Sequence, residues 1–388
     1  MSFSILGEIA EFAKQLTQLF RSSPPEAVAV VVIGSALVGF SGGVIWRRRR
    51  QQKQTTNPNL PEIESCLKEK AILESKLGRY SRVVKELEKD DADLWCLHPP
   101  KPPDKLAERL RASRTKIVLV GHLKGGVSKT TLLTNLAAYF DEKGKSVLAI
   151  DFDYQGSLTA TLIRAAGKRL TGPYSDILLT GQLRPQDLIT AAEDLTGILP
   201  RTWLIPAAYT LVQRENQMLI RWLLDGGEAD VRYNLVELLL TPEVQKEYDL
   251  VLIDIGPRLT TASICALAAA THIIIPTILD QLSAEAVGSF LSQVRTLTSE
   301  MKTGLNSVSV VGTMTRQRTL DDENKDAIAK IESALRKWDG DGQMLLPNIP
   351  FKQAFIDCAG TDIAMLRDST VRTLFEELGA QVNGRIGL

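Results

Sequence analysis

Residues 116–142 read KIVLVGHLKGGVSKTTLLTNLAAYFDE, and the fold is decided there. The apolar run 116–122 predicts a buried strand, and 129–142 carries the spacing of a helix packed on a sheet. Between them lies a short loop holding Gly125 and Gly126. Paired glycines let backbone N–H groups approach an anion closely, at the positive end of the helix that follows. Lys129 then stands where an ammonium reaches β- and γ-phosphate oxygens, and the Thr130 hydroxyl where it can ligate Mg2+. The cradle comprises Lys124, Gly125, Gly126, Val127, Ser128, Lys129, Thr130 and Thr131. The ordinary pattern GxxxxGK[ST] is not met, because Leu123 and Ser128 occupy its two glycine positions. A serine at 128 fits the loop if its φ is negative.

Outward from this loop, short apolar runs alternate with helical patterns. Strands are expected at 146–151, 202–207, 250–255, 272–277, 308–314 and 344–349. Continuous apolar strands separated by amphipathic helices indicate an α/β fold, a mostly parallel twisted sheet flanked by helices on both faces.

Acidic residues stand at the ends of two of these strands. Asp151 and Asp153 occupy alternate positions, which on an extended strand point the same way, as a hydrated Mg2+ site requires. Asp254 ends the run Leu250-Val251-Leu252-Ile253. The loop KGGxxK[ST][ST], the segment Asp151-Phe152-Asp153-Tyr154-Gln155-Gly156 and the strand ending in Asp254 occur in this order. Together they resemble the deviant Walker A loop, switch I and Walker B strand of the ParA/MinD family of P-loop ATPases. The resemblance covers roughly residues 115–380.

That resemblance implies ATP and Mg2+ as cofactors. It implies that Thr130, Asp151 and Asp254 serve the metal, that Asp153 orients the attacking water, and that Lys129 neutralises the phosphates. It implies that Lys124 acts on the ATP of a second protomer in a sandwich homodimer, with slow, partner-stimulated hydrolysis. GTMTRQRT (312–319) and NIPFKQAFIDC (348–358) are similar to the family's segments around the adenine, which suggests Thr315, Arg316 and Pro350 as base contacts. An unidentified protein partner or activator is expected. DNA is disfavoured, because Asp321, Asp322, Glu323, Asp326 and Glu332 intersperse the basic residues of 316–337.

The N-terminal part reads differently. Residues 1–26 form an amphipathic segment, and 27–46 are 20 residues without a charge, long enough as a helix to span a bilayer. Arg47 to Arg50 follow, which predicts a single-pass bacterial inner-membrane topology with the C-terminal side in the cytoplasm. A basic, polar linker is expected over 47–61, a helical segment over 62–98, a Pro-rich linker with a short helix over 99–114, and the ATPase domain over 115–388. A heptad frame over 62–94 places Leu73, Tyr80, Leu87 and Leu94 at one seam position, so a coiled coil competes with a helix packed on the domain. Residues 47–115 carry 17 Lys and Arg against 11 Asp and Glu, although the whole chain is formally neutral. The four cysteines lack any CxxC spacing, which argues against a zinc or iron–sulfur site. Two rival readings are an ATP-binding membrane scaffold with negligible turnover and a capsule-type tyrosine autokinase. The autokinase is disfavoured because the last tyrosine is Tyr248, far from the C-terminus.

Overall fold

The computed structural model describes residues 60–87, 91–170, 172–224, 230–315 and 321–388. The expected amphipathic segment, the apolar run 27–46, nearly all of the basic linker and Arg316 lie outside these residues. Among the described residues no helix is long and apolar enough to cross a membrane.

Eight strands form one sheet: β1 (Lys116–Val120), β2 (Val147–Phe152), β3 (Glu193–Asp194), β4 (Thr202–Ile205), β5 (Leu250–Ile255), β6 (His272–Ile278), β7 (Ser307–Thr313) and β8 (Asp341–Leu345). Their spatial order is β3-β4-β2-β5-β1-β6-β7-β8. Every pairing is parallel except β3 with β4. Successive residues of the central strands alternate between two cores. Ile117, Leu119, Leu148 and Ile150 face one. Val118, Val120, Val147 and Ala149 face the other. A strand buried on both faces has no polar positions to offer, and hence reads as an unbroken apolar run. The second core is closed by the helices Lys129–Glu142 and Ser369–Ile386. The first is closed by Thr210–Leu224, Thr261–Ala269 and Gln281–Glu300, among others.

The last strand differs from the expected 344–349. It starts at Asp341 and stops at Leu345, one residue before Leu346-Pro347. Pro347 has no N–H to give a ladder, and an edge strand need not be apolar on both faces. Two helices are described within the segment expected to be helical over 62–94. One helix spans Leu60–Leu87, and a separate short one spans Asp91–Trp95. Leu73 and Leu77 on the first are exposed, whereas Leu94 and Trp95 are buried in the first core. The last seam position, Leu94, takes part in the packing of the domain.

Candidate nucleotide-binding site

The loop 121–128 leaves β1 at its C-terminal end, in the middle of the sheet, where open α/β sheets bind their ligands. The helix Lys129–Glu142 follows with no acidic residue in its first turn, so its positive end is left for an anion. Gly125 and Gly126 are exposed, and a Cβ added at either would meet nothing within 4 Å. Val127 is buried, and its carbonyl accepts from the Thr313 hydroxyl at 3.2 Å, which pins the loop to β7. Ser128 adopts φ 66°, in the left-handed region. The condition of a negative φ is thus not met: the loop keeps a glycine-type backbone with a serine in it. The turn into the helix requires that conformation, and the side chain bears its steric cost.

Lys129 is buried and its ammonium donates to the Lys124 carbonyl at 3.2 Å. Thr130 donates to Asp254 Oδ2 at 2.7 Å, while Asp254 Oδ1 is buried without a hydrogen-bond partner. Thr131 lies half-buried one residue on, its carbonyl accepting from Asn135 at 2.7 Å. Asp151 and Asp254 face each other in register on β2 and β5. Burial pushes both carboxyls up from the ordinary carboxylate range, and the Asp151 charge raises Asp254 further. Burial likewise pushes the Lys129 ammonium down.

Asp153 lies one residue beyond the strand that carries Asp151. β2 ends at Phe152, and the Asp153 backbone N–H turns back to donate to Asp151 Oδ1 at 3.0 Å. An aspartate bonded to the backbone two residues on is a turn, not an extended strand. Asp151 Oδ2 accepts from the Thr159 backbone at 2.9 Å and from its hydroxyl at 2.7 Å. That carboxylate therefore braces the turn after β2. Asp153 is half-buried, accepts from the Gln155 N–H at 3.0 Å, and lies against Gly256 after β5.

Lys124 is held within its own chain. Its ammonium donates to Ser283 Oγ at 2.6 Å and lies 3.8 Å from Asp280, at the start of the Gln281–Glu300 helix. Its backbone N–H donates to His122 Nδ1 at 2.9 Å. The His122 ring is fully buried and pushed down to about 4 by that burial, so it is neutral and can accept. Thr315 and Pro350 meet in a parallel bridge, with the Phe351 N–H donating to the Thr315 carbonyl at 2.9 Å. Ser283, Asp280, His122 and Thr159 escaped the sequence reading. Only Asp280 left a signal, an acidic helix cap three residues before the serine whose N–H it accepts at 2.7 Å.

These residues fit Mg2+ and a nucleotide. Two buried carboxylates face a single buried ammonium, and one carboxylate oxygen has no partner, so the site is short of positive charge. The open space above Gly125 and Gly126 suits a polyphosphate. Thr130 and Asp254 would hold the metal, with Asp151 behind them, and the loop amides and Lys129 would hold the phosphates. Mg2+ when bound supplies the charge that neutralises the phosphate oxygens. Fold and site together define a P-loop nucleotide-binding protein.

The comparisons with known proteins narrow that class. A family model described as an AAA domain matches residues 115–307. The chain is 31% identical over 214 residues to the chromosome-partitioning ATPase Soj of Thermus thermophilus, covering 54% of this chain and 74% of that one. It is 30% identical over 199 residues to a putative replication protein A of Rhizobium rhizogenes, covering 51% of this chain and 48% of that one. The chain therefore matches about half the length of that second relative. In fold it is similar to a McdA variant from Cyanothece in complex with ATP, with a TM-score of 0.58 and 20% identity over 71% of this chain and 98% of that one. The chain belongs to the ParA/Soj-like family of P-loop ATPases. It is an ATPase, with ATP and Mg2+ as its ligands.

Proposed function

We propose that this ATPase is a membrane-tethered dimerisation switch that positions or regulates a partner protein complex. ATP favours a sandwich homodimer, hydrolysis returns the chain to monomers, and turnover is slow until a partner stimulates it. The observation that carries this reading is the division of labour between two lysines on one loop. Lys129 is committed to the cradle, while the Lys124 ammonium takes no part in it and is held outside at Ser283 and Asp280, contacts it would exchange for a second site. In this reading Lys124 crosses to the ATP of the facing protomer, and Asp153, half-buried beside Gly256, orients water. Positioning and charge neutralisation are what phosphoryl transfer needs most. Thr315, Arg316 and Pro350 line the adenine.

The uncharged run 27–46 followed by four arginines supports a single span in a bacterial inner membrane, with the ATPase domain in the cytoplasm. The mixed charge of the Asp322–Leu335 helix supports a protein partner over DNA.

The test uses the full chain in detergent or nanodiscs, with ATP turnover and light-scattering mass measured together. ATP is expected to double the protein mass, Asp153→Ala to hold the dimer, and Lys124→Ala to lose dimer and turnover alike. A Lys124→Ala chain that dimerises and hydrolyses like the parent would sink the reading. A fluorescent fusion should outline the cell and become diffuse on deletion of 27–46. Retention of the outline would remove the tether.

A further inference from the structure

The polypeptide that enters the domain from its N-terminal side is fastened to the turn that follows Asp254. Trp95 is 1% exposed, and its indole N–H donates to the Leu259 carbonyl at 3.2 Å. Leu259 is five residues beyond Asp254, and between them lies Gly256, where an added Cβ would sit 3.5 Å from the Asp153 carboxyl carbon. The Trp95 ring packs on Trp222 with centroids 5.0 Å apart, and His98 meets Trp222 edge-on at 4.8 Å. Arg232 is fully buried behind them. It pairs with Asp230 at 2.6 Å, lies 5.1 Å over the Trp222 ring, and donates to the carbonyls of Trp95 at 2.8 Å and His98 at 3.3 Å. Residues 91–98 thus form a strap held by buried, charge-assisted hydrogen bonds, which are about twice as strong as neutral ones.

Trp222 sits on the Thr210–Leu224 helix, and two turns earlier the same helix presents Glu215. Glu215 accepts from the Ala262 N–H at 3.1 Å, and its carbonyl accepts from the Thr261 hydroxyl at 3.0 Å. Residues 255–262 are therefore gripped at Leu259 by the strap and at Thr261 and Ala262 by the helix on which the strap rests. Movement of this turn would therefore disturb contacts with both the strap and the helix.

We infer that Trp95 is a positioning residue for the 255–262 turn, and that the strap 91–98 transmits the state of the nucleotide site to the polypeptide on its N-terminal side. This rests on the ATP-switch reading above. Coupling of this kind is reciprocal: if nucleotide changes the strap, the strap changes nucleotide affinity by the same factor. One hydrogen bond of net ~1 kcal/mol sets that factor at about fivefold.

Amide hydrogen exchange on the full chain tests the inference, in the absence of nucleotide, with ADP–Mg2+ and with ATP–Mg2+. Peptides covering 91–98 and 255–262 are expected to change protection together in the parent. Trp95→Phe keeps an aromatic ring at the position, removes the N–H and leaves a small void. It should preserve the 255–262 response, uncouple 91–98 from it, and shift ATP affinity by about fivefold. A parent in which 255–262 responds and 91–98 does not would overturn the inference and leave the ATP switch standing. If neither peptide responds and ATP leaves the mass unchanged, both fall. The parent measurement decides the matter even where the variant folds poorly.

Discussion

The ammonium of Lys124 lies 2.6 Å from the hydroxyl of Ser283, in its own chain. A side chain destined for a facing protomer must first give up this bond and the looser contact with Asp280 at 3.8 Å. Their net contribution is about 1 kcal/mol, a small but definite weight on the monomer side. Each dimer gives up two such bonds, one per protomer, so Ser283→Ala should shift ATP-dependent dimerisation to about thirtyfold lower protein concentration, read by light scattering across a dilution series. Asp280 is the poorer target, because it caps its helix at the Ser283 N–H and its loss costs about 1 kcal/mol of stability.

Ser128 carries a backbone conformation that favours glycine, φ 66° and ψ 30°. For a residue with a Cβ this costs about 1–2 kcal/mol, from which the greater unfolded-state freedom of glycine subtracts about 0.5–1. Ser128→Gly is therefore expected to raise stability by up to about 1 kcal/mol, measured by chemical denaturation without nucleotide. A destabilised variant would mean that the serine hydroxyl contributes more than the backbone strain costs.

The parts of this molecule that were legible in the sequence are those whose partners are close in the chain or whose burial is uniform. Residues 250–255 are apolar without interruption up to Asp254 because β5 lies between β2 and β1, buried on both faces. The helix at 129–142 starts where the lysine and threonine of the loop require it. The edge strand β8 was misplaced because its N-terminal half faces solvent and has no apolar signature. The φ of Ser128 depends on the whole loop and not on the serine. Ser283 is 159 residues from Lys124 and Leu259 is 164 from Trp95, so neither contact leaves a local pattern. The strap reads as the end of the helical segment 62–98 for that reason.

Glu215 supplies a pH dependence with a definite sign. Burial pushes its carboxyl up from 4.5 to about 7. The folded chain then keeps a proton that the unfolded chain gives up above about pH 4.5. This contribution is whole below that pH and is lost as pH rises to about 7. Glu215→Gln preserves an acceptor for the Ala262 N–H and resembles the neutral acid at every pH. Thermal melts should favour the variant over the parent increasingly between pH 5 and 8, by about 3 kcal/mol at most. A pH-independent difference would show that the carboxylate is ionised in the folded chain throughout.

Thr159 links the turn after β2 to the segment after β4. Its hydroxyl donates to Asp151 Oδ2 at 2.7 Å and accepts from the Ala207 N–H at 2.8 Å. Valine has the same shape and neither capacity, so Thr159→Val leaves a buried carboxylate oxygen with one donor fewer and a backbone N–H with none. The expected loss is about 3 kcal/mol in denaturant unfolding, far above the cost of an exposed Thr→Val change. Asp151→Asn combined with Thr159→Val should lose less than the sum of the single changes, because the two share one network.

Gly379 tests the packing that holds the loop helix in place. The Ser369–Ile386 helix lies across Lys129–Glu142 so closely that a Cβ on Gly379 would come within 2.5 Å of the Tyr139 ring. Real carbon contacts do not reach that distance, and Tyr139 is itself only 4% exposed, with Phe140 edge-on at 5.1 Å. The ring has little room to turn away, so the helices must separate. Gly379→Ala, a change that normally favours a helix by about 1 kcal/mol, should instead destabilise the domain by about 1–3 kcal/mol. Because Lys129 and Thr130 open the helix that is displaced, ATP affinity should fall along with the melting temperature. Tyr139→Leu in the same chain should recover part of both losses. Recovery of stability without recovery of ATP affinity would show that the strain is confined to the far end of the helix and never reaches the loop.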